Sequence, residues 1–484
     1  MKVAVVAIVR DEASDILSWL GWYVSLGVDT VVLFDDGSTD GMDRLVTDAA
    51  CVHDIRLYRI KGGSGSHVER QRLVYLEALE HLKNEFDWIG FLDADEYLSL
   101  ETHETIQEFL GSFPDNVGAI GINWCNYGSS GHVTKPLMPA FHAFTHHYRA
   151  ENAINRHIKS FVKPERWSGH WSNVHYFDVA PYRYVDAADR DIQWSDVKGI
   201  IQNIPDWRGA RILHFQLRSM EHYIDRARKR KDITLRVDGF TSADHNDVHD
   251  TTPQRHTASV REWERKVSRQ TCARVLDSLP EALPDAAQAL PPAFQLFTLK
   301  TSDNNRIGIK DGIPYVMSGN STDVPLLALR IGNESERLYL LAADQKGDIA
   351  SLHMDGDASL FDFLPYDIIY TNTPDLVALR QGAGEYHLGA VPAALGGQVI
   401  SDRRNVQEWE LFELVPLEDP LWSEQITGGP IFQFARQALS YSGSLHTISI
   451  LSRIDLRLTI SILPLLADQL ENNERGQLEL LLQS

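Results

Sequence analysis

A chain of 484 residues exceeds what one hydrophobic core usually organises, so about two or three domains are expected. Its composition, 43% hydrophobic and 23% charged, is that of a soluble globular protein, and the formal net charge of −21 argues against a nucleic-acid partner, which needs clustered cations. Cys51, Cys125 and Cys272 are odd in number and have no paired spacing, which excludes a zinc–cysteine site and suits a reducing compartment.

Lys2 to Val9 is a continuous apolar run rich in β-branched residues, the pattern of a strand buried on both faces of a parallel sheet, and it stops at Arg10-Asp11-Glu12. Ile16, Leu17, Leu20, Tyr23, Val24 and Leu26 then recur at helical spacing, with Gly27 as a C-terminal stop. A second strand over Thr30 to Phe34 ends at Asp35-Asp36-Gly37-Ser38-Thr39-Asp40. Strand, helix, strand with polar loops after both strands is the doubly wound α/β order, whose ligands sit beyond the carboxyl ends of the strands. Arg70 opens a further expected helix. Trp88 to Leu92 is another buried-strand pattern, and it runs into Asp93-Ala94-Asp95-Glu96. Alternate residues of a strand point to opposite faces, so Asp93 and Asp95 share one side and offer two hard oxygen ligands to a divalent cation.

After this α/β part the texture changes. Residues 238–253 read as a loop and residues 261–279 as a helix; residues 280–293 form a proline-punctuated linker. Residues 294–417 carry short strands divided by turns, an all-β module. Residues 418–484 form a helical tail with dense Leu and Ile, suited to packing on the β module or on a second subunit as a homo-oligomer; a membrane-surface role is the minor reading, because the tail lacks a clustered basic face. The α/β domain is accordingly read as residues 1–279. The apolar run at the start is interrupted by charges before it could be a secretory signal, and no later stretch reaches the ~20 apolar residues of a membrane span, so a cytoplasmic protein with at most peripheral membrane contact is expected.

Several blocks occur in an order that resembles a known family. Val9-Arg10-Asp11-Glu12, Ser18 through Val28, Asp35 through Asp40, Leu92 through Leu98, Asn126 through His132, His157-Ile158-Lys159-Ser160, His175-Tyr176-Phe177, and Ile212 through Phe215 followed by Arg218-Ser219-Met220-Glu221 are similar to the nucleotide-sugar glycosyltransferases of the GT-A fold, in the family-2-like branch. The resemblance implies a Rossmann-like mixed sheet with flanking helices over the first half of the chain. The β module resembles, faintly, a β-trefoil of the fascin or ricin-lectin kind, which makes acceptor-glycan binding and simple packing equal expectations for it.

From the resemblance, Asp11, Glu12, Asp35 and Asp36 are expected at the nucleoside, with Arg70 reaching a phosphate or the base and Asp93 shared between ribose and metal. Asp95 is the expected direct ligand of Mn²⁺ or Mg²⁺, completed by His214 or, second, His175; oxygen and imidazole both suit manganese. The implied reaction is sugar transfer from a nucleoside-diphosphate sugar, a UDP-sugar first, to a glycan, lipid-linked or protein hydroxyl with inversion. An inverting transfer needs one general base, for which Glu96, His132 and Asp186 are candidates beside Asp189. Phe215 and Arg218 stand where the family more often has tyrosine and lysine. Two alternatives stay open: a lectin-like protein without turnover, and a nucleotidyltransferase, against which the absence of a glycine-rich lysine loop after the first strand counts.

Overall fold

The computed structural model describes all residues except 61–66, 230–236, 283–292, 318–322, 333–334, 345, 351, 355–356, 359–360, 382–383, 442–443, 472, 476 and 479–484. It divides into two compact units, Met1–Glu264 and Arg265–Ser484. The division falls inside a helix, Thr257–Ala282, that spans the predicted one. Most of the predicted linker, residues 283–292, lies outside the described residues.

The first unit is built on a mixed sheet. Its strand order is Ile55–Arg59, Thr30–Asp35, Val3–Val9, Trp88–Phe91, Ile158–Val162, Val117–Asn126, Ala210–His214, Glu96–Leu100, with Arg183–Asp186 also paired to Val117–Asn126. Every residue of Val3–Val9 and of Thr30–Asp35 is buried, as their unbroken apolar runs require. The first four strands in this order run parallel, and so do Val117–Asn126 and Ala210–His214, because the intervening Ile158–Val162 is antiparallel to both of its neighbours. The carboxyl ends at Val9, Asp35, Phe91, Asn126 and His214 therefore share one edge of the sheet.

Helix His67–Leu82 covers one face, where Val74, Tyr75, Ala78, Leu79 and Leu82 pack on Val6, Ile8, Val32 and Phe91. Helix Ile16–Ser25 holds the strand Glu96–Leu100 by polar anchors: the Trp19 indole N–H and the Tyr23 hydroxyl donate to the Glu96 carbonyl, and the Trp22 indole donates to the Leu98 carbonyl.

Two expectations change here. The chain after Phe91 does not continue as a strand; it turns at Ala94 and Asp95 and starts a new strand at Glu96. Alternation of faces therefore does not relate Asp93 to Asp95. The predicted loop over residues 238–253 contains a helix, Val237–Ala243, and a short strand, Val248–His249, paired with His146–His147. Two of its polar residues bind the Gly128 loop: the Asp244 carboxylate accepts from the amide and hydroxyl of Ser129, and the Asn246 side chain accepts from the Ser130 amide.

In the second unit, strands Phe294–Thr301, Leu327–Ile331, Arg337–Ala343, Leu364–Tyr370, Leu376–Gln381 and Phe412–Pro416 pair in a closed six-strand antiparallel barrel. Antiparallel hairpins follow the first, third and fifth of these strands: Ile307–Lys310 with Ile313–Val316, His353–Met354 with Asp357–Ala358, and His387–Ala390 with Val399–Arg403. One strand from each hairpin touches the other two. The tail forms helices Pro420–Thr427, Pro430–Leu439, Leu445–Ile454, Leu456–Ser461 and Leu463–Ala467, whose Phe432, Phe434, Leu451 and Leu465 join Leu327, Leu329 and Leu341 of the barrel in one core. Among the described residues no helix is long and apolar enough to cross a membrane.

Candidate active site

The loops after Val9 and Asp35 are stitched together. Asp11, in a left-handed backbone conformation (φ 53°), donates its amide to the Ser38 hydroxyl at 2.9 Å and accepts from the Thr39 amide at 2.8 Å. Asp35 is buried and accepts from the Ser38 amide at 2.8 Å, closing the turn. Asp36 is left facing Arg70, which donates to both carboxylate oxygens, each at 2.8 Å. Such a two-point pair fixes both planes and presents a cation and a carboxylate together.

Glu12 stands on the far side of the first loop, 3.8 Å from the Arg218 guanidinium, which also donates to Asp15 at 3.0 Å. Burial pushes the Glu12 carboxyl up to about 7, against the pull of Arg218. Arg218 is itself buried and left-handed (φ 55°), and it donates to the Phe215 carbonyl at 3.2 Å.

At the turn after Phe91, Asp95 and Asp93 have different surroundings. An Asp95 oxygen lies 3.7 Å from Nε2 of His214. His214 is buried, and burial holds its imidazole down at about 4, so it is neutral at pH 7. Its Nδ1 has no hydrogen-bond partner among the described residues. Asp93 instead accepts from Lys159 at 2.8 Å and from the Gln71 side chain at 3.0 Å. Burial would raise the Asp93 carboxyl, but the Lys159 ammonium overcomes it and holds Asp93 below the ordinary carboxylate range.

Glu96 is fully buried. Its carboxylate lies 3.1 Å from Lys159 and accepts from the Trp124 indole at 2.8 Å and the Asp93 amide at 2.9 Å. Burial pushes this carboxyl up to about 8 against the pull of Lys159, and all three of its partners are donors.

His175 packs edge-on against Trp124, with ring centroids 5.4 Å apart, and bonds the Ile158 carbonyl through Nδ1 at 2.9 Å. Burial drives its imidazole down to about 3. His132 follows the strand that ends at Asn126, the residue in register with His214. Its Nε2 bonds the Ala143 carbonyl at 3.2 Å; a carbonyl only accepts, so Nε2 carries a proton, and in the neutral ring Nδ1 is the accepting atom. Asp186 is not brought to this edge: it is in register with Gly121, five positions before Asn126, and its carboxylate holds Arg190 at 2.6 Å and two turn amides.

Lys159 and Trp124 join this edge although no motif in the sequence gives them a role. Trp124 stands at the centre of three histidines, with ring centroids 4.8 Å from His157, 5.4 Å from His175 and 4.3 Å from His214. The available signal for Lys159 was a lysine inside an apolar strand, which is not buried without counter-charges.

Residues 3–189 match the family model for Glycosyltransferase family 92. Among curated proteins, a family 92 protein of Oryza sativa subsp. japonica is 22% identical over 37% of this chain and 30% of its own length, and one of Arabidopsis thaliana is 22% identical over 37% of this chain and 32% of its own. The chain thus spans about a third of the length of the curated relatives it matches. Among solved structures, S. aureus TarS 1-349 in complex with UDP-GlcNAc is 13% identical over 58% of this chain and 78% of that chain, at a TM-score of 0.27, too low to add to the fold described above. The sequence likeness of the first unit supports a glycosyltransferase.

Proposed function

We propose that the first unit is a metal-dependent GT-A glycosyltransferase that moves a sugar from a nucleoside-diphosphate donor, a UDP-sugar first, to a hydroxyl of a carbohydrate-containing acceptor with inversion. The observation that carries this is the Asp95 carboxylate set 3.7 Å from a buried, neutral His214 at the carboxyl edge of the sheet. The carboxylate oxygen suits Mn²⁺ or Mg²⁺, and the imidazole beside it favours Mn²⁺ of the two. Among the described residues no group of three or more His, Cys, Asp or Glu side chains converges on one point. Asp95 and His214 would therefore be its protein ligands, with the diphosphate and water supplying the rest. Bound there, the cation supplies Lewis-acid stabilisation of charge on the leaving diphosphate.

The chain's own groups do the remainder. Asp36 and Arg70 present a carboxylate and a guanidinium for the nucleoside, on a loop held by Asp11 and Asp35. Glu12 and Arg218 border the same edge. The acceptor oxygen attacks the anomeric carbon as the carbon–oxygen bond to the diphosphate breaks, and the hydroxyl proton passes to a base. His132 suits that role, because its Nε2–H is held by the Ala143 carbonyl and Nδ1 is the accepting atom. Glu96 and Asp186 have carboxylates already engaged by internal donors. In the second unit, three successive barrel–hairpin units support a β-trefoil reading, with acceptor-glycan binding as its role. Free Cys51, Cys125 and Cys272 suit a reducing compartment such as the cytoplasm.

The test is calorimetry of UDP with Mn²⁺ on the full chain, followed by turnover of a nucleotide-sugar panel. Mn²⁺-dependent UDP uptake that Asp95→Asn abolishes is expected; uptake indifferent to Mn²⁺, or to that substitution, would sink the assignment.

A further inference from the structure

The proposed cation site leaves an unusual group unexplained. Lys159 is the second residue of Ile158–Val162, a strand buried along its length, and its side chain has no exposure at all. A lone ammonium in such a place is strongly unfavourable, and it persists only where carboxylates surround it. Here there are two, Asp93 at 2.8 Å and Glu96 at 3.1 Å, the residues on either side of Ala94 and Asp95. Glu96 also accepts the Asp93 amide at 2.9 Å, so the turn is closed on itself and then fastened to the neighbouring strand. The Trp124 indole donates to the other Glu96 oxygen, and the same ring lies 4.3 Å from the His214 ring, centroid to centroid. One buried lysine thus fastens both ends of the turn that carries Asp95, and the tryptophan in that network packs on the histidine Asp95 faces.

We propose that Lys159 is a positioning residue for the cation site: it takes Asp93 as its own partner, so that Asp93 holds the turn and Asp95 alone of the two aspartates is presented with His214 to a cation. This rests on the reading above and narrows it, because it removes one of the two aspartates from the ligand set. The division of labour follows from the partners each carboxylate takes. Asp93 has both oxygens engaged, one by Lys159 and one by Gln71. The Asp95 carboxylate has the neutral His214 ring as its neighbour, at 3.7 Å.

The experiment is Mn²⁺ titration of the full chain in the presence of UDP, followed by calorimetry and by the electron paramagnetic resonance of free Mn²⁺, with thermal unfolding of each variant alongside. Asp93→Asn, which keeps an oxygen for Lys159, is expected to raise the Mn²⁺ Kd no more than threefold, whereas Asp95→Asn raises it more than a hundredfold. Lys159→Met combined with Glu96→Gln, which removes opposite charges together, is expected to raise it at least tenfold while still unfolding cooperatively. Equal losses in Asp93→Asn and Asp95→Asn would overturn the proposal by making Asp93 a ligand. A Lys159→Met/Glu96→Gln protein with the wild-type Kd would overturn it by making the lysine dispensable, and one that does not fold would overturn it by making the lysine a requirement of the fold alone. Failure of the wild-type chain to take up Mn²⁺ with UDP would overturn both this proposal and the functional reading, a result distinct from any seen only among variants.

Discussion

Arg218 shows how much a single side chain can hold at the edge of this sheet. Its guanidinium is buried between Asp15 at 3.0 Å and Glu12 at 3.8 Å, and its backbone is left-handed, a conformation a long side chain adopts only when its surroundings enforce it. Arg218→Met would leave two neighbouring carboxylates uncompensated, and we expect it to cost about 3–5 kcal/mol in urea unfolding; a loss below about 1 kcal/mol would show that the ion pair does not hold the loop. Arg70 is a different case. It and Asp36 are partly exposed, with side-chain accessibilities of 20% and 11%, so Arg70→Met should cost under about 1 kcal/mol in stability. The same substitution should weaken UDP binding roughly tenfold, about 1.4 kcal/mol, if the pair meets the nucleoside diphosphate; calorimetry on a variant of unchanged unfolding midpoint separates the two effects. At this scale Asp11, Asp36, Asp95 and His214 were legible in the sequence because each stands where an apolar run stops. Lys159 was not, because its partners Asp93 and Glu96 lie 66 and 63 positions earlier in the chain.

Among the elements, the central strands owe their close approach to small residues. A Cβ on Gly90 would sit 2.4 Å from the Phe161 ring on the adjacent antiparallel strand, and the ring is walled in by the core. Gly90→Ala should therefore destabilise the first unit by about 1–3 kcal/mol through overpacking, read as a lower unfolding midpoint; no change would mean that Phe161 has room to turn. The strands and the first helix were legible because burial on both faces, or on one stripe, leaves its period in the sequence. The turn at Ala94 and Asp95 was not, since three carboxylates after an apolar run fit a strand end and a turn equally well. The hairpin strands of the second unit were mostly missed for a related reason: at two to five residues each, they are too short to show alternation.

For the molecule as a whole, acid is the condition its buried histidines make costly. His222 and His256 are both held at about 4, chiefly by burial, with Arg218 and Arg255 respectively adding to the effect. An unfolded histidine titrates near 6.5, so between about 6.5 and 4 the unfolded chain binds more protons and stability falls as pH falls. Glu12 and Glu96 act in the opposite sense: their folded values of about 7 and about 8 lie above the ordinary carboxylate value, so their contributions are lost as pH rises through that range. With six histidines held low against two such carboxyls among the described residues, the unfolding midpoint should drop between pH 7 and pH 5, and His256→Gln should shrink that drop. An equal drop in the variant would show that His256 titrates normally. Net charge of −21 was visible in composition, but the direction of this response was not.

What the amino-acid order determined by itself is local: which segments are apolar enough to be buried, how long they run, and which polar residues stand at their ends. These follow from short-range periodicity and side-chain chemistry, and they placed Asp11, Asp36, Asp95 and His214 at strand ends. Which strands lie side by side was decided only by the tertiary structure. The order that seats Ile158–Val162 between Trp88–Phe91 and Val117–Asn126 brings Lys159 to Asp93 and Glu96. No local pattern encodes that meeting, because a buried charge finds its partner through the packing of distant strands.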